Sequence, residues 1–273
     1  MIKFFRYIRK SFLEQNKMGK YFKYAIGEII LVVIGILIAL QINNWNEKRK
    51  DRIKEKHYIS NLIRDLNSQI KGTKEIIDYE EKAIAQIVSV MSNVKKNNGF
   101  SDTTEQLKNL QNLIPNKIFK VYSSTFSDLQ SSGNMSLISD KDLLDEINQY
   151  YIQLLNFKTV INENSNDAMK NLLEPLMDFG RFSTANMELI DTFDDRVAFD
   201  KARTKYKSQD VSIKRYDSIA LLNLRDPQIA LKIINAINFK ETLSIVGIQQ
   251  IKESLKHSEE MLEALERHAN TLN

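Results

Sequence analysis

Apolar positions in this chain form one continuous run followed by several helical stripes. The run is YAIGEIILVVIGILIALQI, residues 24–42. Its nineteen positions, wound as an α-helix, reach roughly 28 Å, close to the hydrocarbon thickness of a bilayer. The chain's one tryptophan, Trp45, follows the run, and Tyr21, Phe22 and Tyr24 stand at its start, the places interfacial aromatics favour. The buried core helix of a soluble protein is the rival reading; length and both flanks favour a transmembrane helix. Beyond it, Ile59, Ile63, Leu66, Ile70, Ile77, Ile84, Ile87, Met91 and Val94 keep a 4-3-4-3 register that only Thr73 and Glu80 interrupt. No proline lies between residues 24 and 96. The membrane helix is therefore expected to run on as a stalk, weakened at Gly72, to a stop at Asn97-Asn98-Gly99.

Further along, Asp102 with Glu105 reads as a capping box for a short helix that ends near Leu113, before Pro115. Residues 118–130 read as another helix, broken by Ser131-Ser132-Gly133-Asn134. Ser139 with Asp142 is the expected cap of a helix carrying Leu143, Ile147, Tyr150, Leu154, Phe157 and Ile161 to about Leu173, with Pro175 and Gly180 punctuating its end. Residues 181–225 are polar, with Phe182, Ile190, Phe193 and Phe199 spread singly, and are expected to form short helices and loops. Asp226-Pro227 is an N-cap followed by proline at the first helical position, opening a helix with Ile229, Ile233, Ile234 and Ile237. A last long helix carries Ile245, Ile248, Ile251, Leu255, Leu262, Leu265 and Ala269. Three stripes, residues 50–96, 139–173 and 228–272, need partners of comparable length. The expectation is an all-α fold: one N-terminal transmembrane helix continuing into an elongated antiparallel bundle of three or four helices.

Composition supports this and adds an address. Eight glycines and three prolines in 273 residues leave few of the turns a sheet protein needs. Cysteine is absent, which removes disulfides, thiolate metal sites and thiol nucleophiles. The net charge of +4 is modest and sits mostly beside the apolar run, where it answers to anionic lipid rather than nucleic acid. Residues 1–23 carry seven cations against Glu14, with Ile2, Phe4, Phe5, Ile8, Phe12 and Leu13 gathered mainly on one helical side, so this tail reads as a basic amphipathic helix on a membrane surface. Without a small-x-small cleavage site after the run, it reads as an uncleaved anchor rather than a signal peptide. Seven cations before the span face six after it (Lys48, Arg49, Lys50, Arg52, Lys54, Lys56), a near tie by the positive-inside count. The large C-terminal portion decides the reading, because translocation of a long domain depends little on flanking charge. Residues 1–23 are expected to be cytoplasmic, 24–44 to span the membrane, and 45–273 to form a periplasmic domain.

The run GEIILVVIGILIALQINNWNE, residues 27–47, resembles the N-terminal signature of a widespread, uncharacterised family of single-pass membrane proteins from Bacteroidetes. TFSDLQSSGNMSLISDKDL, residues 125–143, followed by Tyr150 and Tyr151, is similar to a second signature of that family. The resemblance implies a Gram-negative membrane protein of unknown role and points to an N-terminus inside; it implies no catalytic residues.

Candidate chemistry is sparse. Glu28 is the one ionisable residue within the span, about one turn from its start. Ala25, Glu28, Val32, Gly35, Ala39 and Ile42 share a face on which Gly35 and Ala39 form a small-xxx-small pair. That stripe reads either as a seam with a second copy or a membrane partner, or as lipid-facing helix with Glu28 snorkelling to the headgroups. Trp45, Tyr21 and Tyr24 are the interfacial anchors. His57, His257 and His268 show no metal-ligand spacing, and neither a phosphate-binding glycine loop nor a nucleophile elbow occurs. Ser132, Gly133 and Asn134 read as a helix corner or as a partner or ligand loop. No cofactor, metal or catalytic residue is expected. The leading function is a non-enzymatic interaction or scaffold protein, oligomeric or part of an envelope complex, whose partners are the bilayer and other chains. The alternative is a ligand-sensing bundle signalling through a membrane partner.

Overall fold

A computed structural model describes residues 18–101, 103–180, 201, 204–205 and 214–272. Among these, six α-helices, one 3-10 turn and no strand occur: α1 Met18–Lys96, α2 Thr104–Gln111, α3 Ser124–Ser131, the turn Asn134–Leu137, α4 Lys141–Phe179, α5 Lys214–Arg225 and α6 Pro227–Thr271. The chain divides into two compact units, one ending at Tyr58 and one spanning Ile59–Thr271.

In the first unit, α1 carries the apolar run with its side chains uncovered: Ile29, Val32, Leu37 and Ile42 are all more than half exposed. This helix is long and apolar enough to cross a membrane.

The second unit is a three-helix bundle made from the later part of α1, α4 and α6. Lys74 pairs with Glu259 at 2.9 Å and Glu81 with Lys252 at 3.1 Å, so α1 and α6 run antiparallel. Tyr150 meets Ser258 and Glu174 meets Lys232, so α4 and α6 are antiparallel too. One end is closed by α2 and α5, whose Leu107, Leu110, Ala220 and Leu224 join Ile87, Val90, Leu172, Ile233 and Ile237 in a single apolar core. Asn223 of α5 donates to the last carbonyl of α4, Phe179 O, at 2.8 Å.

Several local expectations need correction. The seam of α1 keeps Ile59, Leu66, Ile87 and Val94 of the expected row but not its other isoleucines. Buried positions run Ile59, Leu62, Leu66, Gln69, Thr73, Ile76, Glu80, Ala83, Ile87, Val90 and Val94, while Ile63, Ile70, Ile77 and Ile84 are only half-buried. Thr73 and Glu80, which interrupt the apolar stripe, therefore lie inside, because each finds a buried polar partner. The predicted helix over residues 118–130 is helical only from Ser124; residues 115–123 have no regular structure, for reasons given below. The caps fall elsewhere: Thr103, not Asp102, accepts from the Gln106 amide, and Asp140, not Ser139, accepts from Asp142 and Leu143. Asp102 itself lies outside the described residues. α4 runs past Leu173 and through Pro175 to Phe179. Pro175 is buried near the end of the helix, where its ring forfeits one hydrogen bond, to the carbonyl four residues back. The two helices read after Asp226 are a single 45-residue helix, started as expected by Asp226 accepting from Gln228 and Ile229. α1 stops where glycine chemistry says it should, with Asn98 at φ 52° and Gly99 at φ 148°. Phe182, Ile190, Phe193 and Phe199 lie outside the described residues; α5 is the helix found at the end of that stretch.

Candidate functional site

Residues 113–123 form a strap across the bundle. A backbone without its own helix or sheet must find partners for its N–H and C=O groups elsewhere. Each of the three long helices supplies them. From α4, Asn162 accepts from Phe119 N at 2.8 Å and donates to Phe119 O at 3.1 Å. From α1, Gln69 accepts from Tyr122 N at 2.9 Å and donates to Lys120 O at 3.1 Å. Between these two amides the Phe119 ring is completely buried. Four residues before Gln69, Asp65 accepts from Ser124 Oγ and Thr125 N, both at 2.9 Å. It caps α3 from a different helix, while Ser123 at the N-cap position makes no side-chain cap bond.

From α6 comes Lys240, 5% exposed. Its ammonium donates to the carbonyls of Leu113, Ile114 and Pro115, just past the end of α2 where helical partners run out. Facing it from α1 is Glu80, hydrogen-bonded by Ser244. Burial lowers the Lys240 pKa to about 8 against the pull of Glu80. Burial likewise raises Glu80 above the usual carboxylate range, opposed by Ser244 and Lys240, and raises the neighbouring Tyr79. A lysine with depressed pKa is the raw material of a nucleophile or base. Here its protons are directed at backbone carbonyls, and the adjoining cavity, lined by Tyr79, Asn116, Asn164 and Ser165, measures about 20 Å³. That is room for one water. The arrangement clamps the strap.

A second, larger opening lies on the flank of the strap. Gly72, Glu75 and Ile76 of α1 and Asn116, Lys117, Ile118, Lys120 and Tyr122 of the strap enclose about 210 Å³. Gly72 explains the close approach: a Cβ there would stand 3.3 Å from the Tyr122 ring.

The residues singled out from sequence are placed as follows. Glu28 is half-buried, and Val32, Gly35 and Ala39 are exposed on α1, with open space around a Cβ built at Gly35. Trp45 is 65% exposed. Tyr21 and Tyr24 belong to α1, but their side chains lie outside the described part. Ser132 Oγ donates to Asp128 O at 2.6 Å, Gly133 takes φ 71°, and Asn134 opens the 3-10 turn, the geometry of a helix corner with Ile138 fully buried below it. Ser132, Gly133 and Asn134 line neither of the openings beside the strap. Among the described residues no cluster of three or more metal-ligating side chains occurs; His257 meets Phe157 edge-on and His268 lies 3.9 Å from Asp140.

The sequence reading missed Asp65, Gln69, Glu80, Asn162 and Lys240. A signal existed for part of this set. Thr73 and Glu80 break the stripe of α1, and Lys240 with Ser244 break that of α6 between Ile233, Ile237, Ile248 and Ile251. Polar interruptions on two facing stripes mark a shared polar layer.

The second quoted stretch also has a physical basis. Phe126 of α3 stacks on Tyr151 with ring centroids 4.2 Å apart, Tyr150 meets Tyr151 edge-on, and the Tyr150 hydroxyl lies 3.0 Å from Ser258 Oγ. Burial pushes the Tyr150 pKa up to about 12 and raises Tyr151 as well. A family model described as "Family of unknown function (DUF6090)" matches residues 28–192, more than half of the chain. The chain belongs to DUF6090. The DUF6090 match takes in the apolar run from Glu28, the strap with Gln69, Asp65 and Asn162, and the aromatic corner; Lys240 and α6 lie beyond it. Comparison with curated proteins and with solved structures gives no match.

Proposed function

We propose that this chain is a non-enzymatic, single-pass inner-membrane protein whose helical bundle lies in the periplasm and binds or scaffolds partners in the cell envelope. The observation that carries this reading is a contrast between the two units. In the first, α1 leaves a bilayer-length apolar surface uncovered. In the second, the buried polar groups around the strap are spent on the protein's own backbone, with a cavity the size of one water beside Lys240 and Glu80. A membrane helix joined to a self-satisfied bundle is built to hold a surface in place. The large domain after the span and the resemblance of residues 27–47 support an N-terminus on the cytoplasmic side.

The face of Glu28, Val32, Gly35 and Ala39 is the seam through which we propose the chain self-associates or meets a membrane partner, since small residues let two backbones approach closely. Cross-linking of the full chain in bilayers should capture an oligomer, and Gly35→Leu with Ala39→Leu should reduce it severalfold. Self-association unchanged by that pair clears the seam of the role. A monomeric chain that co-purifies with nothing contradicts the scaffold reading. Labelling of a cysteine placed at Asn273 tests orientation: access from the periplasm is expected, and access from the cytoplasm reverses the topology.

A further inference from the structure

The opening between α1 and the strap is built differently from the self-satisfied interior. Its floor is apolar, with Ile76 buried and Gly72 contributing no side chain. Tyr122 and Ile118, both substantially exposed, form an apolar wall. On the rim, the Lys117 side chain is only 21% exposed, unusually low for a surface lysine. Its one ion pair among the described residues, to Glu75, is 3.9 Å long, beyond hydrogen-bond reach. A cation laid into a groove without a hydrogen-bonded acceptor has capacity for an anionic oxygen. Lys120 lines the same opening. The volume of about 210 Å³ equals roughly seven waters at ~30 Å³ each, room for one small organic molecule.

We propose that this groove binds a small aromatic carboxylate, its ring lying on Ile76 and against Tyr122 and its carboxylate meeting Lys117. The site takes one molecule and involves no covalent step. It goes beyond the interaction reading above: failure of the oligomer tests leaves it standing, and its own failure leaves them standing. Gly72 is part of the design, because a side chain there meets the Tyr122 ring and narrows the floor.

The test uses the full chain in phosphatidylcholine nanodiscs with phenylacetate as probe, read by saturation-transfer NMR against empty nanodiscs. Saturable binding above the empty-disc background is expected. Lys117→Gln, a rim change outside the core, should weaken it about tenfold, the worth of one charge-assisted hydrogen bond, while Lys117→Arg retains it. Benzyl alcohol, with the ring but no charge, should bind about tenfold more weakly for the same reason. Circular dichroism of each variant establishes that the bundle is intact. A signal no greater than that of empty discs, or equal binding by folded Lys117→Gln, overturns the proposal.

Discussion

Desolvating an ammonium costs several kcal/mol unless its protons and its charge are both answered. Lys240 has both answers, three carbonyls from residues 113–115 and the carboxylate of Glu80. Lys240→Met should therefore lower the unfolding free energy by about 3 kcal/mol, because it takes the cation from Glu80 and the donor from the carbonyls together. Adding Glu80→Leu to that variant should recover a good part of the loss, and a double-mutant cycle followed by thermal unfolding measures the coupling. Titration gives an independent check. The Lys240 pKa falls from 10.5 unfolded to about 8 folded, so in that interval the unfolded chain holds more protons. Stability from this group is expected to rise as pH climbs from 8 towards 10.5, and the rise should vanish in Lys240→Met. Glu80 works in the opposite sense on the acid side. Its pKa is raised above 4.5, so its contribution falls as pH rises from 4.5 through the folded value. A stability curve identical in wild type and Lys240→Met between pH 8 and 10.5 would remove the clamp from the account.

Among the elements, the strap depends on side chains and the helices largely on themselves. Gln69→Ala removes two strap hydrogen bonds and should cost about 2 kcal/mol, with faster amide exchange at Tyr122 than in the wild type. Unchanged protection there would mean the amide of Gln69 is dispensable. In α6, Gly247 is buried near the middle of the helix, yet a Cβ built on it meets nothing within 4 Å. Gly247→Ala should raise the melting temperature, with about 0.5–1 kcal/mol gained from helix propensity; a lower melting temperature would show the neighbouring helices closer than described. Elements with local causes were legible in the sequence. The apolar span, the Asn98-Gly99 stop and the Asp226-Pro227 start each follow from a few adjacent residues. The strap was not, because the groups that suppress its helix come from far along the chain: Gln69 is 51 residues from Lys120, Asn162 is 43 from Phe119 and Lys240 is 127 from Leu113. Non-local satisfaction by Ser244 and Lys240 likewise places Glu80, and a local bond from Gln69 one turn back places Thr73, inside a seam that hydrophobic counting assigned to Ile63, Ile70, Ile77 and Ile84.

For the whole molecule the decisive question is the solvent of α1. Its apolar run is uncovered by any other part of the described chain, and the proposed seam, orientation and envelope role all presuppose that this run lies in lipid. Trp45, the chain's one tryptophan, sits just past the run and reports on it without labelling. The measurement is Trp45 fluorescence of the full chain reconstituted into bilayers, quenched in turn by lipids brominated at different depths and by aqueous acrylamide. The account expects blue-shifted emission, strongest quenching by bromine close to the headgroups and weak quenching by acrylamide, as for an interfacial indole. Emission typical of water, full access to acrylamide and no response to brominated lipid would contradict it.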